Sequence, residues 1–321
     1  MSGSAEKRTF EEFVAVHPLD PMDAAFASTM RAMMLANKGV RQGIEARGQF
    51  DALMEGVSPR DDVTFETGVV GGIPGLWVLP EDWTSDEAIV HLHGGWFNFG
   101  SAKAYRHLVG HVAATVRARA FIPDYRLAPE HPFPAAPQDA LACYLALVES
   151  GVHRIALTGD SAGGNLALVL ASRVIGQAAT IRATLVGAAV LSPITDLTFS
   201  GTTYVTRADA DPLFTRAQVE ELVHSYLRGA DAKHPLASPL LGRFSGLPPI
   251  RIHVGDDEVL LDDSLRYVGR AMVAGVDAKV VVWEGLPHGF IGSIGRLKAA
   301  AQVLQDISRF LAEKLQANAE S

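Results

Sequence analysis

Cysteine is almost missing from this chain: Cys143 is the single one in 321 residues. An internal disulfide is therefore excluded, which accords with a reducing compartment, and a cytoplasmic protein is expected. No apolar run approaches the ~20 uninterrupted residues of an ordinary membrane-spanning helix, so stable membrane insertion is not expected. The opening MSGSAEKRTF is polar and carries no apolar signal core. Positive charge is in deficit: 28 Lys and Arg stand against 36 Asp and Glu, a net charge of −8. That balance argues against nucleic acid and anionic membrane as partners. Internal repeats and low-complexity tracts are missing too. What is there is ordinary globular usage, 48% hydrophobic and 20% charged. A chain this long buries about 75% of its unfolded surface and needs no disulfide or metal staple.

Residues 10–54 read as helix, with long apolar side chains at Phe26, Met30, Met33 and Met34. We expect residues 1–55 to form an N-terminal helical cap segment, whose apolar side chains either pack on the main body or line a mobile lid with adaptable methionines. From Asp62 the pattern changes. VTFETGVV alternates as a strand does, GGIPG turns, and LWVLP is a second strand. EAIVHLH, RAFIPDY, RIALTGD, LVGAAVLSP, IRIHVGD and AKVVVWEG complete a series of eight. Helical segments fall between them at about 134–150, 162–175, 264–274 and 296–315. Strands alternating with helices imply an α/β protein with a mainly parallel sheet covered on both faces. The last strand, AKVVVW, reads as a sheet edge, which would allow a homodimer by edge pairing. One stretch interrupts the alternation, an insertion at about 197–240. It contains a helix from Thr215, where Thr215 and Gln218 have capping-box spacing. A long excursion of this kind over a sheet end is usually functional, and we expect it to meet the N-terminal helices.

The strongest chemical signal is LTGDSAGGN at residues 157–165. It fits G-x-S-x-G through Gly159, Ser161 and Gly163, after a strand and before a helix, the context of a nucleophile elbow. A serine hydroxyl is a weak nucleophile until a base takes its proton. Among eleven histidines, His288 in WEGLPHGF stands on a short loop after the last strand, at the same sheet edge as the elbow. His91 and His93 form H-x-H, but alternate residues beside a buried strand read as structural. No ligand spacing suggests a metal, and no phosphate loop or other cofactor motif is found, so neither metal nor cofactor is expected. The third member should be a carboxylate between Ser161 and His288. VGDDEVLLDDS offers five acids, of which Asp256 or Asp257 is near enough to the strand end to orient an imidazole; Asp262 and Asp263 start or face a helix.

These stretches resemble the hormone-sensitive lipase family of α/β-hydrolases, in its bacterial esterase branch. The resemblance spans about residues 60–295. It rests on HGGWFNFGS, DYRLAPEHPFPAA, GDSAGGNLA, SPITDLT, GLPPIRIHVGDDEVLLDDS and PHGF. It implies the α/β-hydrolase fold over residues 56–321, with an eight-stranded sheet, flanking helices and a cap. It also implies a catalytic Ser161, His288 and Asp257, with Asp256 as the alternative acid. The family carries H-G-G-G where this chain has H-G-G-W. By position the oxyanion hole comprises the Gly94–Trp96 loop and Ala162: Gly94 serves the turn, while the amides of Gly95, Trp96 and Ala162 donate. Trp96 fits such a role if its φ is negative. Tyr125, Arg126 and Glu130 read as buttresses of the surrounding loops.

The implied activity is serine carboxylic-ester hydrolysis of small-molecule esters with short-to-medium acyl groups, lactones included, through an acyl-enzyme. Two alternatives share features. HGGWF is also similar to the HGG-aromatic loop of arylformamidases, which cleave an aryl formamide. The gibberellin receptors use the same fold without turnover, but they lack the catalytic histidine that PHGF supplies here.

Overall fold

The computed structural model describes residues 10–40, 43–177 and 183–316. Residues 10–54 are not one helical run. They hold a short strand β1 (Val14–His17), helix α1 (Ala24–Leu35) and helix α2 (Arg47–Met54). VAVH has period-2 alternation and β-branched valines, which suit a strand, but four residues are too few to declare it. β1 pairs in parallel with the last strand, so the N-terminal segment contributes a strand to the sheet.

The expected strands then follow in order: β2 (Val63–Val70), β3 (Ile73–Pro80), β4 (Glu87–Leu92), β5 (Ala120–Pro123), β6 (Arg154–Asp160), β7 (Thr184–Leu191), β8 (Ile250–Gly255) and β9 (Ala278–Trp283). Helix α3 (Ala102–Val116) sits between β4 and β5 and was not anticipated. The others fall close to their expected places: α4 (Ala135–Glu149), α5 (Ala162–Gly176), α8 (Leu261–Val273) and α9 (Lys298–Gln316). The sheet has nine strands, one more than expected, in the order β1-β9-β8-β7-β6-β4-β5-β3-β2. Only β3 runs antiparallel to its neighbours β2 and β5. With β8 on one side and β1 on the other, β9 is not an edge. The homodimer expected through β9 therefore has no free edge there.

Apolar alternation splits the core in two. In β4, Ala88, Val90 and Leu92 face one side and Ile89 the other. α4, α5 and α8 cover the first face; α3, α9 and the buried side of α1 (Ala27, Met30) cover the second. Met33 points to solvent. The insertion carries a short turn of helix, α6 (Thr203–Thr206), and then α7 (Arg216–Leu227). Thr215 and Gln218 form the full capping box at the start of α7. The insertion and the N-terminal segment do meet: Lys38 Nζ donates to the carbonyls of Ala208 and Asp211, and Gln218 Nε2 donates to Val40 O at 2.8 Å.

Candidate active site

β6 delivers its last residue, Asp160, to the carboxyl edge of the sheet, and α5 begins two residues later. Ser161 makes the whole turn between them, at φ 54° and ψ −119°. That is a left-handed, strained conformation for a non-glycine residue, worth about 1–3 kcal/mol. The surroundings enforce it. Ser161 N donates to Leu191 O at 2.8 Å, and Ser161 O accepts from Asn165 N at 3.0 Å and Ile194 N at 3.2 Å. Gly163 lets α5 start this close, because a Cβ there would stand 1.9 Å from Leu92 O. Ser161 is thus a buried residue at the N-terminus of α5, where the helix favours negative charge.

His288 lies on the loop after β9, as expected, and is buried. Its acidic partner differs from expectation. His288 Nδ1 meets Glu258 Oε2 at 2.8 Å, and Glu258 is fully buried. The other oxygen, Oε1, accepts from Gly255 N and Ser192 Oγ, both at 2.7 Å. Asp257 turns outward instead and holds Arg31 of α1 at 2.7 Å. Asp256 accepts from Gly285 N at 2.6 Å. The register is therefore one residue beyond Asp257 and two beyond Asp256. The turn after β8 points residue 258 inward, and the extra methylene of glutamate spans the gap to the ring. Asp262 and Asp263 sit in the first turn of α8, as expected.

Three carboxylates act on the imidazole. Burial disfavours its charge, but Glu258, helped by Asp211 and Asp160, more than offsets this and raises the His288 pKa above the ordinary value. With Nδ1–H donating to Glu258, the neutral ring presents Nε2 as its acceptor. Asp160 and His288 also line a common cavity of about 10 Å³ with Leu191, Ser192 and His253. The Phe214 ring lies 5.1 Å from that of His288, and Trp96 meets Phe214 edge-on at 5.2 Å.

The HGGW loop follows β4. Gly94 N donates to Asp160 Oδ1 at 3.0 Å, so it ties the loop to the elbow and is not free to serve an oxyanion. Burial pushes Asp160 up to about 6, although this contact, Tyr105 and His288 pull the other way. Among the described residues nothing accepts from the amides of Gly95, Trp96 or Ala162. Trp96 departs from expectation: its φ is +52°, and Phe97 follows at +62°. The loop takes the left-handed path that glycine would take, with an indole in place of a hydrogen.

Comparisons with known proteins give this chain its family. The family described as alpha/beta hydrolase fold matches residues 89–292. An acetyl-hydrolase of Streptomyces hygroscopicus is 39% identical over 236 residues, 73% of this chain and 76% of the relative. The chain belongs to the α/β-hydrolase family. An esterase of Acinetobacter venetianus is 33% identical to this hydrolase over 230 residues, 71% of the chain and 75% of the relative. Among solved structures, an esterase from the bacterial hormone-sensitive lipase family superposes with a TM-score of 0.84 at 32% identity, covering 92% of this chain and 99% of its own.

Other residues in the stretches that carry the resemblance buttress the hydrolase's loops. Tyr125 OH donates to His93 O at 2.7 Å, Arg126 pairs with Asp139 at 2.7 Å, and Glu130 pairs with Arg47 of α2 at 2.8 Å. His91 Nδ1 meets Thr158 Oγ1 and His93 Nδ1 meets Gly94 O, each at 2.9 Å. Burial pulls these imidazoles down to about 3 and about 4, so both stay neutral. One functional-looking residue had no sequence signal. Asp211, fully buried in the insertion, accepts from Leu213 N and Phe214 N through Oδ1 and from Val259 N through Oδ2.

Proposed function

We propose that this hydrolase cleaves carboxylic esters with Ser161 as nucleophile, His288 as general base and Glu258 as the acid that orients it. The observation that carries the proposal is the buried Glu258–His288 pair, whose histidine lines one cavity with Asp160, the residue directly before a serine held at φ 54° on the elbow. Ser161 Oγ attacks the ester carbonyl while His288 Nε2 takes its proton. The carbonyl oxygen becomes an oxyanion, which the amides of Gly95, Trp96 and Ala162 stabilise. His288 returns the proton to the leaving alkoxide, and an acyl-enzyme remains. Water, deprotonated by the same imidazole, then releases the acid. Glu258 holds the ring in one tautomer and supports the imidazolium that forms twice per cycle.

The acyl group is short, about C2 to C6. Trp96 and Phe214 crowd the space beside His288, and a buried methylene more or less changes affinity by only ~1–3 kcal/mol, so the cutoff is graded. The acetyl-hydrolase name of the Streptomyces relative agrees with a small acyl group. The test is kcat/KM on p-nitrophenyl acetate, hexanoate and decanoate, with an aryl formamide and a lactone alongside. Short esters are expected to be best, and Ser161→Ala is expected to lose activity by about 10⁶ while still folding. A faster aryl formamide, or a serine variant with near-normal turnover, would overturn the proposal.

A further inference from the structure

Consecutive left-handed residues with bulky side chains require something to hold them, and Trp96 and Phe97 are such a pair. Each costs about 1–2 kcal/mol relative to an ordinary backbone conformation. The next residue supplies the hold. Asn98 is 3% exposed, and its Nδ2 donates to Trp96 O at 2.6 Å and to Leu222 O of α7 at 3.2 Å. Its Oδ1 accepts from Ser225 Oγ of the same helix at 3.0 Å. Two carbonyl acceptors on one side fix which end of the amide is nitrogen. The backbone of Asn98 is engaged as well: its N–H closes the turn onto Gly95 O at 2.9 Å, and its carbonyl accepts from Arg47 Nε at 2.8 Å. Beside it the Phe97 ring stacks on Tyr226 of α7 at 3.8 Å. One side chain thus grips the Trp96 peptide with one hand and two positions of the cap helix with the other.

We propose that Asn98 is a positioning residue for ester hydrolysis: from α7 it holds the Trp96 carbonyl, keeps Trp96 left-handed, and so aims the Trp96 amide at the oxyanion. The seating of α7 then sets the quality of the oxyanion hole. The proposal rests on Trp96 as an oxyanion donor, argued above. The side-chain hydrogen bonds of Asn98 go to Trp96, Leu222 and Ser225 and not to Ser161, His288 or Glu258, so its influence on the reaction runs through Trp96. A residue that merely pinned the cap would alter stability or KM. One that aims a donor alters the binding of a tetrahedral oxyanion in step with kcat.

The experiment compares the full chain with Asn98→Ala and Ser225→Ala. The readouts are kcat and KM on p-nitrophenyl acetate, melting temperature, and the Ki of a trifluoromethyl ketone. In the ketone adduct Ser161 Oγ adds to the carbonyl, His288 takes the proton, and an oxyanion is left in the hole. Removing a whole oxyanion donor costs about 10²–10³ in kcat, and a misaimed one less. Asn98→Ala is therefore expected to lose kcat by about 10- to 100-fold and weaken the ketone by a matching factor, with KM within about threefold. Ser225→Ala frees only one cap contact and keeps the grip on Trp96, so both readouts should stay within about threefold. If the alanine variant does not fold, Asn98→Leu keeps the volume without the amide and is read in the same way. A folded Asn98 variant that loses kcat with unchanged ketone affinity, or that keeps both, overturns the inference. If the unmodified chain fails to cleave the ester or to bind the ketone, it is the esterase proposal that falls.

Discussion

The choice between two adjacent acids shows what a single residue decides. Glu258→Gln keeps the shape of the contact but cannot support an imidazolium, and the comparable change in a serine protease costs about 10⁴ in kcat. It should also move the acidic limb of log kcat/KM to lower pH. The base must be neutral to work; the Glu258 carboxylate favours the protonated ring and holds its pKa above the ordinary value, so removing that charge lets the proton leave earlier. Asp257→Asn breaks only the partly exposed pair with Arg31, worth ~0–1 kcal/mol, and should leave kcat/KM within about fivefold. A dead Asp257→Asn beside an active Glu258→Gln would reverse the assignment. The sequence signal that favours Glu258 is weak but physical: it precedes the apolar VLL, and an acid drawn into an apolar turn needs a partner. Trp96 offers a second case. Trp96→Gly relieves a left-handed residue, about 1–2 kcal/mol, but empties a buried indole, about 3–5 kcal/mol, so the melting temperature should fall. The amide survives, so activity on acetate should persist and preference should shift toward decanoate. Trp96→Pro deletes the amide and cannot reach φ +52°, so it should fail on every ester. Equal damage from both, with no change in chain-length preference, would remove Trp96 from the site.

At the scale of an element, the segment leading into α7 separates folding from chemistry. Thr215 caps the helix, and Thr215→Ala should cost about 1 kcal/mol of stability with little change in kcat. Asp211 lies just upstream and does different work. Its two oxygens bind the insertion at Leu213 and Phe214 and the acid turn at Val259, next to Glu258. Its charge also helps raise His288. Asp211→Asn should therefore lower kcat more than stability and shift the acidic limb downward, though less than Glu258→Gln does. Parallel pH profiles for Asp211→Asn and the unmodified chain would confine Asp211 to a structural part. Elements of this region were unevenly legible. The capping box of α7 and the run from β2 to β9 follow from local chemistry, because caps and buried strands are written in adjacent residues. α3 was missed: AKAYRHLVGHVAATV mixes valines, a glycine and no acid in its first turn. Its helical state is decided by packing, with Gly110 lying over Val63 and Phe65. The elbow serine and histidine were legible from flanking strands and glycines. Asn98 and Asp211 were not, because their roles depend on what α7 and the acid turn bring to them.

For the whole molecule, the decisive unforeseen element is β1, since it changes which edge of the sheet meets solvent. Without it, β9 would present an unpaired row of N–H and C=O groups carrying Val280 and Val282, a ready template for another chain. β1 covers that row residue by residue, from Val14 opposite Val280 to His17 opposite Trp283. The seal continues past the strand: Glu284 N donates to His17 O at 2.9 Å, and the His17 ring stacks on Trp283 at 4.4 Å. Phe13, just before it, is buried in the core beside α8. The N-terminal segment therefore closes the sheet as well as crossing the site through Arg31 and Arg47. Removing residues 1–18 should leave α1, its Arg31–Asp257 pair and the Lys38 and Arg47 contacts in place while opening β9. The expected result is a lower melting temperature and a larger mass by light scattering than the full chain shows at the same micromolar concentration. Ester hydrolysis per folded chain should change little, because none of the described residues in the excised stretch is hydrogen-bonded to Ser161, His288 or Glu258. A truncated chain of unchanged mass and melting temperature would mean that the β9 edge is silent and that β1 is dispensable.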